Sequence, residues 1–163
     1  MSLIDLDRLG HAFTRPPLVI GGVAMQWHGL RPAGADIDLV ASAADVEALL
    51  HRFPDRAKNL WGDLGVCPFE FEIWKTICSY GYDELSIGAA AAGDVVVAGL
   101  ETMMMLKAFA AGQPKGRSDL ELIVRRILDD RYASSYDALT AANERILAGV
   151  PEVSWLEMTG PDV

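Results

Sequence analysis

The residues whose types and spacing could do chemistry gather in the first half of this chain. Leu18-Val19-Ile20 is a short apolar run that ends in Gly21-Gly22, and Asp36-Ile37-Asp38-Leu39 follows a little further on. A buried strand that passes through two glycines into a helix lets a ligand approach the backbone and leaves N–H groups beside it, a recurrent way of holding phosphate. Side chains alternate across a strand, so Asp36 and Asp38 share a face. Two carboxylates that close repel each other unless solvent or a divalent cation lies between them. Mg2+ prefers oxygen ligands, often one or two carboxylates together with substrate phosphates. Glu70 and Glu72, two apart on a later strand, can supply a third ligand or a general base; Glu72 is preferred because Ile73 and Trp74 set it deeper in that strand. Either feature alone is bland, since Asp-x-Asp is ordinarily a solvated strand face and Gly-Gly a tight turn. Their order within one strand–helix–strand unit describes a metal-dependent phosphoryl or nucleotidyl transfer site, in which the metal clamps the attacking and leaving oxygens.

The elements that must position these groups follow from periodicity and breakers. Leu3, Leu6, Leu9 and Phe13 recur at helical spacing up to Pro16-Pro17. A strand is expected at Leu18–Ile20, a two-turn helix over Val23–Gly29, a turn at Arg31–Ala35 and a strand at Asp36–Val40. Ser42 with Asp45 opens a helix whose apolar face is Val46, Leu49, Leu50 and Phe53, up to Pro54. Phe69–Ile77 alternates as a strand, with Phe69, Phe71 and Ile73 on one face and Glu70, Glu72 and Trp74 on the other. Tyr80–Ala92 has no clear assignment. Val95–Ala98 reads as a strand, followed from Gly99 by a helix carrying Leu100, Met103, Met104, Leu106 and Lys107. After a loop at Gly112–Gly116, two helices are expected near Ser118–Asp130 and Ser135–Ala148, and a tail from Pro151 that packs through Trp155 and Leu156 or frays. Strands first and helices last give an α+β architecture, a mixed sheet flanked by helices.

Composition narrows the function classes. The chain has 163 residues, which suits one domain, and 51% apolar against 23% charged residues excludes wholesale disorder. No apolar run approaches the roughly 20 residues of a membrane span, and the acidic, alternating start does not read as a signal peptide, so a soluble cytoplasmic protein is expected. A net charge of −9, with no basic cluster beyond Arg125-Arg126, disfavours stable nucleic-acid binding. Cys67 and Cys78 read as reduced, and Met103-Met104-Met105 as core filler. His28, beside Trp27 at a helix end, reads as capping or packing rather than as a base. Lys107 can neutralise a triphosphate or lay its stem along the core with a solvated head. Arg117 and Asp119 suit a local ion pair that starts a helix.

The glycine turn, the short helix and the Asp-x-Asp strand resemble the polymerase-β-like nucleotidyltransferase superfamily. The closest likeness is to its small bacterial members, minimal nucleotidyltransferases and relatives that act as toxins in abortive-infection systems. The pattern those relatives share reads here as Gly21-Gly22-Val23-Ala24, His28-Gly29, Arg31 and Asp36-Ile37-Asp38, with Lys107, Arg117 and Asp119 in a later helical region. The likeness runs from about Pro17 to Ile123. Three departures stand out: Val23 replaces a serine after the glycines, Arg31 lies one residue further from Asp36, and the third acid is Glu rather than Asp.

The resemblance implies a single nucleotidyltransferase-like domain over residues 1–163, with a core at about 17–123 and C-terminal helices at about 117–148. It implies Mg2+-dependent transfer of an NMP from an NTP to an acceptor hydroxyl. Gly21 and Gly22 would hold phosphates, with Lys107 and Arg31 as cationic contacts; Asp36, Asp38 and Glu72 would bind the metal. The runner-up is an inactive interaction module of the same fold, for example in a toxin–antitoxin pair. A protein partner or a second copy could supply part of the acceptor site, and the acidic surface would suit a cationic acceptor better than a tRNA end.

Overall fold

In the computed structural model of the chain, residues 3–151 are described. The chain forms two compact units, Met1–Ile127 and Leu128–Val163. The first holds β1 (Leu18–Val19), β2 (Ile37–Val40), β3 (Ala57–Leu60), β4 (Asp63–Val66), β5 (Phe71–Trp74), β6 (Thr76–Ile77), β7 (Tyr80–Gly81), β8 (Ala90–Ala92) and β9 (Val95–Val97). Its helices are α1 (Gly21–Trp27), α2 (Ala43–Arg52), α3 (Tyr82–Leu85) and α4 (Leu100–Phe109); α5 (Pro114–Leu147) begins there and supplies the helix of the second unit. Seven strands make one mixed sheet in the order β3-β4-β5-β2-β1-β9-β8, and β6 pairs β7 as a separate hairpin. β1 runs parallel to β9 and β2 parallel to β5, while the other sheet neighbours are antiparallel. The architecture is the α+β mixed sheet with helices expected from the sequence. Among the described residues, no helix is long and apolar enough to cross a membrane.

The centre of the sheet is held by burial. Leu18, Val19, Leu39, Val40, Val95 and Val97 have no exposure, and Met25 of α1, Val46 and Leu49 of α2, Met103 of α4 and Ile123 of α5 complete the core. Each such side chain contributes roughly 1.5–3 kcal/mol on burial, which outweighs the few ladder hydrogen bonds that a two-residue strand can make. Of the methionine run, Met103 is core, Met104 is partly buried against it and Met105 is exposed.

Several elements depart from the sequence reading. The N-terminal helix shrinks to a single 3-10 turn, Asp7–Leu9, because Gly10 takes a left-handed conformation and ends it. The segment after α2, left without strands, forms the β3–β4 hairpin across Trp61-Gly62, both at positive φ. The strand expected from Phe69 starts at Phe71, since Phe69 has φ 56° in a turn and its ring is exposed. The unassigned stretch 80–92 folds as β7, α3 and β8. The Gly112–Gly116 loop yields to α5 at Pro114, a residue that suits a first helical position. The two helices expected after it are one, since no glycine or proline occurs between Gly116 and Gly149. Trp155 and Leu156 of the expected C-terminal tail lie outside the described residues.

One buried carboxylate ties the N-terminal segment to α2. Asp45 is 1% exposed and accepts from the Thr14 N–H (3.0 Å), the Thr14 hydroxyl (2.7 Å), the Ser42 hydroxyl (2.6 Å) and His11 Nε2 (3.0 Å). Its own N–H returns to Ser42 Oγ as the helix cap. Burial alone would raise this carboxyl, but the hydrogen bonds from Ser42, Thr14 and His11 outweigh it and leave its pKa lowered. Asp45→Ala strands several donors at once and is expected to cost about 2–3 kcal/mol in urea unfolding at neutral pH. An unchanged midpoint would show that the latch contributes nothing.

Candidate functional site

The Gly21-Gly22 turn exists to seat a carboxylate. Gly21 has φ +60°, and a Cβ added there would fall on the Asp38 side chain, so no other residue leaves Asp38 its place. The strands hold the two segments together, with Ile20 N–H donating to the Asp38 carbonyl at 3.0 Å. The Gly22 N–H, expected to face phosphate, donates to the Asp38 carboxylate. Burial pushes the Asp38 pKa up, and the charges of Glu72 and Asp36 push it further; Lys107 and the Gly22 N–H offset part of this.

Register decides which glutamate faces Asp38. β2 and β5 pair with Asp38 opposite Glu72, so the two side chains leave the same face of neighbouring strands. Glu70 sits in the turn before β5, where Arg8 Nη1 donates to its two oxygens at 2.7 and 2.6 Å. Asp36 lies just before β2 and is exposed. The Glu72 carboxylate is itself met by Lys58 Nζ at 2.9 Å, reaching over from β3.

The cationic residues converge on a different acid. Asp119, 2% exposed near the start of α5, accepts from Arg31 Nε (2.5 Å) and Nη2 (2.8 Å) and from Lys107 Nζ (2.8 Å). The expected local pair of Arg117 and Asp119 is therefore not made. Arg117 is exposed, and Asp119 joins the α1–β2 loop to α4 and α5. The bidentate Arg31 contact, opposed by burial and helped by Lys107, brings the Asp119 pKa down to about 2. His28 is also occupied structurally: Nε2 donates to the Ala98 carbonyl at 2.8 Å and the ring meets Trp27 edge to face.

A cleft of about 160 Å3 is lined by Gly21, Asp38, Ile77, Met103 and Lys107. It gathers one carboxylate, a glycine backbone and an ammonium group against an apolar wall. Among the described residues, no three His, Cys, Asp or Glu side chains form a ready ligand set. The Asp38–Glu72 pair nevertheless offers oxygen donors only, two carboxylates side by side, which suits a hard divalent ion completing its shell with phosphate and water. No family model, curated protein or solved structure matches the chain.

Lys58 and the role of Asp119 as a shared acceptor are the site features missing from the sequence reading. Lys58 had no signal, because nothing marked the β3–β4 hairpin as part of the sheet. Asp119 was visible, but its partner Arg31 is 88 residues away.

Two measurements test this geometry. Gly21→Ala needs a left-handed alanine and drives a methyl into Asp38, so a loss of about 1–3 kcal/mol in thermal unfolding is expected. The loss should shrink in an Asp38→Ala background, where the approaches to the carboxylate are gone and only the 2.9 Å approach to Cβ remains; equal losses in both backgrounds would refute the seat. Asp119, with a folded pKa below its ordinary 3.8, adds stability that is complete above that value and is lost as pH falls through about 2. The linkage is worth about 2 kcal/mol, and Asp119→Asn should flatten the acid limb of the stability curve in that window.

Proposed function

We propose that the chain is a Mg2+-dependent nucleotidyltransferase that moves an NMP from an NTP to an acceptor hydroxyl. The observation that carries this reading is the facing of Asp38 and Glu72 across β2 and β5, beside a cleft that also holds Gly21 and Lys107. In this reaction the acceptor oxygen attacks the α-phosphorus, a new P–O ester bond forms, and the bond to the β-phosphate oxygen breaks. Pyrophosphate leaves with that electron pair. A bound Mg2+ would supply charge neutralisation at the attacking and leaving oxygens. Asp38 and Glu72 would hold it, with Asp36 at the exposed edge, and Glu72 would be the candidate to take the acceptor proton. Lys107 and Arg31 share one buried acid between two cations, and Lys107 also lines the cleft beside Asp38, where it would face a triphosphate.

One observation favours a second reading, an interaction module of the same fold, for example in a toxin–antitoxin pair. Each chemically interesting group already has an internal contact: Asp38 with the Gly22 N–H, Glu72 with Lys58, Lys107 and Arg31 with Asp119. Such a module would need no nucleotide.

Thermal-shift titration separates the two. A ligand that binds only the folded state stabilises it by about 2.7 kcal/mol at one hundred times its Kd, a rise of a few degrees for a chain of this size. The enzyme reading expects that rise with NTP and Mg2+ together, and expects it to vanish in Asp36→Ala/Asp38→Ala protein that still folds. No shift at millimolar NTP would remove the enzyme reading and turn the search to a protein partner.

A further inference from the structure

The face of the sheet that carries Asp38 and Glu72 also carries a lysine on its own track. Lys58 of β3 pairs in register with Gly65 of β4, and Gly65 pairs with Trp74 of β5. Cross-strand partners point to the same side, so Lys58, Gly65 and Trp74 share the face of Glu72 and Asp38. Gly65 is required there because the Trp74 ring lies flat over it; a Cβ at Gly65 would come within 2.6 Å of the ring. The ring fills the space a side chain would have taken and forms a floor. Lys58 crosses that floor, with Nζ 5.4 Å from the ring centroid, and reaches Glu72 at 2.9 Å. Every residue of β3 is exposed, so this reach runs over the sheet face rather than into the core.

We infer that Lys58 is a tethered counter-cation of the Asp38–Glu72 pair, and that a divalent ion entering the pair must displace it. This rests on the reading of that pair as a metal-binding carboxylate pair. The lysine screens two carboxylates that face each other across neighbouring strands. Its pair with Glu72 is well exposed, 43% for the Lys58 side chain and 31% for Glu72, and such pairs are weakly held. Asp38 and Glu72 would hold a divalent ion, whose charge is twice that of an ammonium group, and Lys58 would then release Glu72 and turn its head out along Trp74. Lys58 is a positioning residue: it holds Glu72 in place in the free protein and opposes metal entry by its charge.

The test uses the whole chain and Mn2+ alone, with free Mn2+ read from its solution EPR signal and neither nucleotide nor turnover involved. Lys58→Met should bind Mn2+ several-fold more tightly than wild type at fixed ionic strength. Lys58→Arg, which keeps the charge, should stay close to wild type, and the gain should disappear in Lys58→Met/Glu72→Gln. Circular dichroism checks that each variant folds. Equal or weaker Mn2+ binding by Lys58→Met, with wild type binding through Asp38 and Glu72, overturns the counter-cation role and leaves the metal reading standing. No Mn2+ binding at millimolar concentration by either protein, with Asp38→Asn indistinguishable from both, overturns the metal reading and this inference together.

Discussion

A carboxylate seated against a glycine α-carbon is the constraint around which this molecule is arranged. Asp38 occupies the volume that any side chain at Gly21 would claim, and Gly21 must be left-handed to permit it. β1 therefore has to end at that point, α1 has to begin there, and β2 has to lie alongside in one register. That register fixes the next, because β2 pairs β5 and sets Glu72 opposite Asp38. A slip of one residue would turn the acids into the core and the apolar partners outward. Burial of Leu39, Val40 and Ile73 makes such a slip costly. The hydrophobic core and the placement of the acids are thus one constraint expressed on two faces.

Charge is organised around the same point. The chain carries a net charge of −9, a field that resists the approach of any polyanion. Yet the cations that act on Asp38 arrive from outside its strand, Lys107 from α4 and Lys58 from the β3–β4 hairpin, while Arg31 of the loop before β2 joins Lys107 on Asp119. Arg31 and Lys107 are both steadied by the buried Asp119, and Lys107 also acts on Asp38. A buried ion pair is a poor source of net stability but a strong determinant of geometry, because removing one member leaves the others uncompensated. The trio accordingly fixes where positive charge stands relative to the cleft, and local charge in a partly desolvated cleft counts for more than the distant surface.

The sequence was legible where local rules suffice. The apolar run into Gly21-Gly22, the Asp36–Val40 alternation, the Ser42 cap and the Val95–Val97 strand all depend on neighbours within a few residues. β3 escaped because all four of its residues are exposed, so no apolar alternation announced it; only the Trp61-Gly62 turn was available as a cue, and tryptophan is an unusual residue at positive φ. Arg117 looked like the partner of Asp119 because it is near in sequence, whereas the structure selects Arg31 and Lys107 from across the fold. The preference for Glu72 over Glu70 rested on depth in the strand. The physical reason is sharper: Glu70 falls in a turn that Phe69 enters with a left-handed backbone, and Arg8 holds it there.

A sheet that serves only as scaffold gains nothing from two facing acids. Like charges opposite each other on neighbouring strands destabilise the pair, and here one of them is half-buried with its pKa pushed up by that burial and by its neighbours. The remedies in the structure are partial. Gly22 supplies one backbone donor, Lys107 stands off while bonded to Asp119, and Lys58 reaches only Glu72 across an exposed ion pair. Two local rules are broken together at one place, a half-buried carboxylate and a like-charged pair in register, beside a glycine whose left-handed backbone leaves room for Asp38. Local rules of this kind are broken most often at functional or strained sites. A divalent ion would offset both, and the proposed nucleotide reading draws its support from that pair.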